Sequence, residues 1–228
     1  MRRVKREPLD AQREQWQEAF REMPEMFGED ASGPARMAAR LFKREGKTNI
    51  LELGCGQGRD TIWFARNGFK VSALDYSAQG LEAIAAKARE LKLSHLIVSR
   101  MHDVRTPLPF ADETFNACYS HMLLCMALTS SEIESLSKEI RRVLKPGGLN
   151  IYTVRTTTDP HYRTGIHRGE DMWEIGGGFI VHFFSREKVE RLAEGYEIVA
   201  VEEFEEGEVL KRLFAVTLRK NPNDCPSP

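Results

Sequence analysis

The stretch Asn49–Asp60, NILELGCGQGRD, constrains this chain more than any other. A short apolar run, Ile50–Leu53, stops at a turn with glycines at 54, 56 and 58, and a helix-period pattern follows. Strand, glycine-rich turn and helix in that order bring backbone N–H groups close to a bound ligand, because a Cβ would obstruct the turn or the approach. Asp75 follows Gly54 by 21 positions and closes a second apolar run, Val71–Leu74. A carboxylate on the tip of the neighbouring strand is placed to take both hydroxyls of a ribose.

The glycine spacing separates two ligand classes. In G-x-G-x-x-G turns the glycines admit a pyrophosphate. Here the third glycine falls one place early, at Gly58, and Arg59 holds the fingerprint position. Glu52 precedes the turn, where a carboxylate suits a cationic ligand better than a phosphate. With these residues the chain resembles the class I S-adenosylmethionine (SAM) methyltransferases, whose E-x-G-x-G-x-G turn wraps the methionine part of SAM. The resemblance runs from about Pro34 to Lys220 and includes a Leu-Lys-Pro-Gly-Gly turn before the fifth strand. It is nearest to small-molecule enzymes of the tellurite-resistance and ubiquinone-biosynthesis type.

The resemblance implies SAM as cofactor and S-adenosylhomocysteine as its product. Glu52, Gly54 and Gly56 would border the methionine moiety and Asp75 the ribose. Tyr76 would cover the adenine and Asp103 would accept from its exocyclic amine, with Ser77 and Val104 also counted as cofactor-binding. Ser120 and His121, at the tip of the fourth strand, would adjoin the methyl. Where amino-methylating branches carry Asn or Asp, Pro, Pro and an aromatic residue, this chain reads Tyr119-Ser120-His121-Met122, which argues against nucleobase or glutamine N-methylation.

Alternation along the chain predicts an α/β fold, a doubly wound, mostly parallel sheet with helices on both faces. Strands are expected at Asn49–Leu53, Lys70–Leu74, Leu96–Arg100, Phe115–Ser120 and Leu149–Arg155. Helices are expected over Asp60–Asn67, from a Ser77 cap to Leu91, and from a Ser131/Glu134 capping box to Leu144. Two more precede the glycine turn, one over Asp10–Met23 with Asp10 as cap and one over about Pro34–Arg44. A further helix runs from Ser185 to Glu194, and strands Glu197–Glu203 and Val209–Arg219 meet at Gly207. The family resemblance makes this a seven-stranded Rossmann-like sheet with an antiparallel C-terminal hairpin strand. One domain is expected over 1–228, with a helical cap over 1–45, an acceptor-side insertion over 156–184 and a frayed tail over 221–228.

With 228 residues, 41% of them hydrophobic, the chain can bury a sizeable core. A net charge of −1 provides no field toward nucleic acid or anionic membrane, and Arg2, Arg3, Lys5 and Arg6 read as a short solvated arm. Four cysteines without a CxxC make neither a disulfide framework nor a common zinc site. With no signal-like opening and no apolar run near 18 residues, a soluble cytoplasmic protein is expected.

Thr156–Ile180 breaks the alternation, and a polar, glycine-rich loop of that length reads as functional or disordered. His161, Tyr162, Arg163, His167, Arg168 and His182 follow Arg155 closely. With His121 they form either an acid/base and anion-anchoring group, in which His121 and Arg155 would be catalytic, or ordinary loop residues. Trp16, Phe20 and Phe27 read as ordinary packing ahead of a cover for the cofactor. Cys118 and Cys125 read as small apolar fillers, and no metal is expected. The implied reaction is methyl transfer to an O, S or other soft atom of a small, anionic or neutral molecule. A SAM-binding module without turnover and a nicotinamide-dependent oxidoreductase are the alternatives.

Overall fold

The computed structural model describes residues 4–207 and 209–222. Arg2, Arg3 and the tail from 223 onward lie outside the described residues. The chain opens with α1 (Arg6–Asp10), α2 (Gln12–Glu22) and α3 (Gly33–Arg44), then alternates through β1 (Asn49–Leu53), α4 (Arg59–Arg66), β2 (Lys70–Asp75), α5 (Ala78–Glu90) and β3 (Ile97–Met101). It continues with β4 (Phe115–His121), α6 (Ser130–Val143) and β5 (Leu144–Arg155). Three short strands follow, β6 (Ile166–Gly169), β7 (Met172–Glu174) and β8 (Ile180–His182), then α7 (Arg186–Leu192), β9 (Tyr196–Glu206) and β10 (Lys211–Lys220).

Seven strands form one sheet in the order β3-β2-β1-β4-β5-β10-β9. The first five pair in parallel, while β10 runs antiparallel to β5 and to β9. Strand order reverses between β1 and β4, and the crevice outside their carboxyl ends is where open α/β sheets bind ligands. Side chains alternate across the sheet. Leu51 and Leu53 join the core beneath α6 and α7 with Ile140, Val143 and Val189. Ile50 points the other way, into the core under α3, α4 and α5 with Phe42, Phe64 and Ile84. Glu52 shares the face of Ile50, so the strand's pleat alone aims its carboxyl at α4.

Gly58 caps α4 with a φ of +87°, and a Cβ there would sit 2.4 Å from Cγ1 of Ile84. The residue is therefore required by both its backbone conformation and the approach of α5.

Several local expectations are corrected. Asp10 does not cap a helix; the helical run begins at Arg6, with Pro8 in its first turn, where the missing N–H costs nothing. Arg6 is thus part of α1, paired with Glu132 at 2.6 Å, rather than part of a solvated arm. The capping box on α6 is Thr129 with Glu132, two residues before the expected pair. Both pairs satisfy the S/T-x-x-E rule, and the earlier one leaves the Ser130 N–H to the Glu170 carboxylate at 2.7 Å. Thr156–Ile180 is not irregular throughout, because β6, β7 and β8 pair into an antiparallel sheet. Strands of three or four residues are too short to show a period. Among the described residues no helix is long and apolar enough to cross a membrane.

Gly58→Ala is expected to lower the unfolding free energy by about 2–5 kcal/mol, the sum of a left-handed backbone penalty and overpacking against Ile84. Urea unfolding, read as a shift in midpoint at constant slope, checks this.

Candidate active site

A cavity of about 650 Å³ lies at the carboxyl ends of β1, β2 and β4. Its floor is the glycine turn, Gly54 to Gly56, flanked by Glu52, Asp60 and Asp75. One wall is Tyr76 with the segment after β3, His102 to Arg105, and the opposite wall is His121 with Met122 and Leu123. Trp16 and Phe20 of α2 and Phe27 from the following loop roof it. Trp16 lies 5.4 Å from Phe20 and 4.5 Å from Phe179, ring centre to ring centre. α2 is held over the cavity by Gln12, which donates to the Gly178 carbonyl at 3.1 Å and accepts from the Ile180 N–H at 2.9 Å. The aromatic trio thus lines the cavity as well as packing on itself.

The two oxygens of Asp75 accept from the Gly56 N–H at 2.8 Å and the Ser77 N–H at 2.9 Å. The carboxyl lines the cavity, and the Tyr76 N–H assists in holding it. Burial pushes the Asp75 carboxyl up, and these amides oppose the rise only in part. Glu52 accepts from the Thr61 hydroxyl at 2.6 Å. Burial, with Asp60 nearby, pushes its carboxyl up to about 8 despite that bond. Asp60 is also buried, but Arg59, the Ser32 N–H and hydroxyl, and Tyr119 all serve it, and its carboxyl lies below the ordinary range. Asp103 is clasped by Arg105, at 2.9 Å to Nε, and Arg105 reaches on to Asp10 of α1.

The cavity gathers Glu52, Gly54, Gly56, Asp75, Tyr76, Asp103, Val104 and His121 in one place. Three other expected residues lie outside it. Ser77 caps α5, accepting from the Gly80 N–H at 3.3 Å. Ser120 is fully buried in β4 with its hydroxyl unpartnered. Arg155 is not part of the cavity wall; its side chain is 5% exposed and locked to Asp159, at 3.0 Å from Nε, with His161 beside it. It has no open face for an acceptor. The remaining basic residues of the insertion are likewise absent from the cavity wall. His167 stacks on Trp173, Arg168 pairs with Glu174, and His182 is buried between the Leu128 carbonyl and Lys188. Cys118 is fully buried in β4, and burial raises its thiol well above the ordinary value.

Residues outside the sequence expectation also reach the cavity, chiefly Glu206, Gly207 and Lys211 from the β9–β10 hairpin. Because β10 is antiparallel to β5, with Leu213 opposite Arg155, its first residues lie at the carboxyl edge of the parallel strands. The signal was present in the topology of the hairpin, not in any motif.

Residues 50–148 match a family model described as a methyltransferase domain. The fold, the acidic residue that ends β2 and the glycine turn agree with that match. Residues 50–148 form a methyltransferase domain, and the chain is similar to the class I SAM-dependent methyltransferases. Among similar proteins, a malonyl-[acyl-carrier protein] O-methyltransferase of Enterobacter lignolyticus is 29% identical over 119 residues, 52% of this chain and 41% of that protein. A thiol S-methyltransferase of Homo sapiens is 31% identical over 112 residues, 48% of this chain and 43% of that protein. The chain thus spans less than half the length of either relative. The solved 1,6-didemethyltoxoflavin-N1-methyltransferase of Burkholderia thailandensis, with S-adenosylhomocysteine bound, superposes with a TM-score of 0.74 over 97% of this chain and 92% of that one, at 15% identity.

The residues present fit the family's cofactor. Asp75 offers two acceptor atoms to vicinal hydroxyls. Asp75 offers negative charge to a cationic ligand, Glu52 does so once it gives up its proton, and Gly54 and Gly56 place no side chain over the floor.

The raised carboxyl of Glu52 ties stability to pH. The folded protein holds this proton more tightly than the unfolded chain, so the contribution is complete below the ordinary 4.5, falls as pH rises, and is lost above about 8. Glu52→Gln is expected to remove a slope of about 1.4 kcal/mol per pH unit from that window and to be the more stable form at its upper end. Parallel denaturant titrations of the two proteins at several pH values check this.

Proposed function

We propose that this protein transfers a methyl group from SAM to a heteroatom of a small molecule bound in the same cavity. The observation that carries the reading is the floor of that cavity. A side-chain-free turn is bordered by buried carboxylates, one of them held at the cavity wall by the Gly56 and Ser77 N–H groups. A diphosphate would meet Glu52 and Asp60 there, and Arg59 is already committed to Asp60. That arrangement disfavours a nicotinamide dinucleotide.

When bound, the cofactor supplies an electrophilic methyl carbon on a sulfonium sulfur. Asp75 and the glycine turn fix its position, while Asp103 and Tyr76 border the region beyond the ribose. Trp16, Phe20 and Phe27 exclude water from above, which strengthens the electrostatic contacts within. Most of the acceleration then comes from holding the acceptor atom in line, within about 3–3.5 Å of the methyl. The cavity continues past the glycine turn to His121 and Glu206, and this extension favours turnover over a module that only holds SAM. Of the wall cations, Arg59 and Arg105 are paired with carboxylates and Lys211 lies beside Glu206, so the wall offers an anionic acceptor little.

Calorimetric titration with SAM, S-adenosylhomocysteine and NAD tests the cofactor. SAM binding with no NAD binding is expected, and the reverse order would sink the reading. Asp75→Asn is expected to weaken SAM binding about tenfold to hundredfold, the loss of charge-assisted hydrogen bonds to the ribose, with an unchanged circular dichroism spectrum. Formation of S-adenosylhomocysteine against a panel of small hydroxyl, thiol and amine compounds then distinguishes an enzyme from a silent binding module.

A further inference from the structure

We propose that Glu206 is the group that removes the acceptor's proton, with His121 as its positioning residue, and that the acceptor enters as an uncharged hydroxyl or thiol. This assignment rests on the SAM-dependent reading above and goes beyond it by naming the base and the substrate class.

The geometry begins with Thr153, which is fully buried. Its hydroxyl accepts from the Met122 N–H at 3.0 Å and lies 2.8 Å from Nδ1 of His121. Nε2 of His121 lies 3.3 Å from Oε2 of Glu206. A carboxylate only accepts, so Nε2 carries the imidazole proton and donates it. Nδ1 has the Thr153 hydroxyl as its partner whether or not it carries a proton. Both nitrogens are engaged, and the imidazole has no lone pair left for an acceptor molecule. Met122, whose φ of +58° is uncommon for a non-glycine residue, holds the chain in this arrangement immediately after the histidine.

Glu206 is placed differently. Its side chain is 27% exposed and lines the cavity, and Oε2 faces His121. Among the described residues Oε1 has no recorded partner. The groups facing this carboxylate are His121 of β4, Arg59 of α4 and Lys211 of β10. Burial pushes the carboxyl up, but the His121 hydrogen bond and these charges outweigh burial and leave it below the ordinary range, hence ionised at neutral pH. A weak base suffices, because a hydroxyl or thiol becomes strongly acidic as its heteroatom bonds to the methyl carbon.

The step balances as follows. The acceptor heteroatom forms a bond to the methyl carbon while the methyl–sulfur bond breaks, its electron pair staying on sulfur. The acceptor's proton passes to Oε1 of Glu206 and later to solvent. An acceptor cation is not needed for charge, and an acceptor anion would meet Glu206 on the wall and Asp60 beside the floor.

Two measurements test this. In the SAM-free protein, carbon-13 NMR of the Glu206 carboxyl is expected to titrate below the ordinary glutamate range, and His121→Ala is expected to move the midpoint upward. With SAM, S-adenosylhomocysteine formation is followed for wild type and Glu206→Gln across phenols and alkyl thiols whose pKa values lie on both sides of the assay pH. Glu206→Gln is expected to lower kcat about a hundredfold for acceptors that enter protonated, to spare those already ionised, and to leave SAM affinity within twofold. A loss that is equal across the panel, no loss at all, or a Glu206 midpoint indifferent to His121 would overturn the assignment. SAM binding without methylation of any phenol or thiol would overturn it while leaving the cofactor reading intact. A wild type that does not bind SAM would overturn both.

Discussion

Three carboxylates converge at the switch point of the sheet, and most of the surrounding structure is a response to their repulsion. Glu52 ends the face of β1, Asp75 ends β2, and Asp60 opens α4, all at most 7% exposed. Each is accommodated by a different device. Asp60 receives a guanidinium, two hydroxyls and an amide, and remains ionised. Asp75 is held by backbone N–H groups. Glu52 has only the Thr61 hydroxyl, and burial shifts it toward the protonated form. A site so arranged discriminates by sign: a cation relieves the repulsion and a diphosphate adds to it.

The same constraint explains why this part of the chain was legible beforehand. A turn that must approach a ligand needs glycines at fixed spacing, and the carboxylates must stand at strand ends, so Glu52, Gly54, Gly56 and Asp75 appear as a local pattern. Strands β1 to β5 were also readable, since each is an apolar run between turn residues. The small sheet of β6, β7 and β8 was not, because strands of three or four residues leave no periodic trace. Nor was the choice between Thr129 and Ser131 as cap, where both satisfy the local rule and Glu170, forty residues away, supplies the added contact.

The acceptor side shows the limit most clearly. Counting basic and imidazole residues between Arg155 and Phe184 left a cluster open, yet their partners are Asp159, Trp173 and Glu174 within the insertion and Lys188 of α7 just after it. Proximity in sequence to the tip of β5 did not mean proximity to the cavity. Arg155 belongs to the strand but is turned toward Asp159, and that pair, almost without solvent, is bound by geometry too closely to release a guanidinium to a ligand.

What does reach the cavity comes from the far end of the chain, and the reason is topological. A parallel sheet delivers only the carboxyl ends of its strands to the crevice. An antiparallel strand added beside β5 delivers its amino end instead, and with it the turn of its hairpin. Glu206, Gly207 and Lys211 therefore stand opposite the tip of β4, although no nucleotide-binding pattern includes them. The cofactor floor is written in the first half of the fold, where backbone approach dictates residue type. The opposite wall is set by a hairpin whose pairing needs only alternation, so its tip is free to carry a carboxylate suited to a particular acceptor. Division of labour along these lines lets one sheet keep its methyl donor while its acceptor chemistry varies through residues such as Glu206.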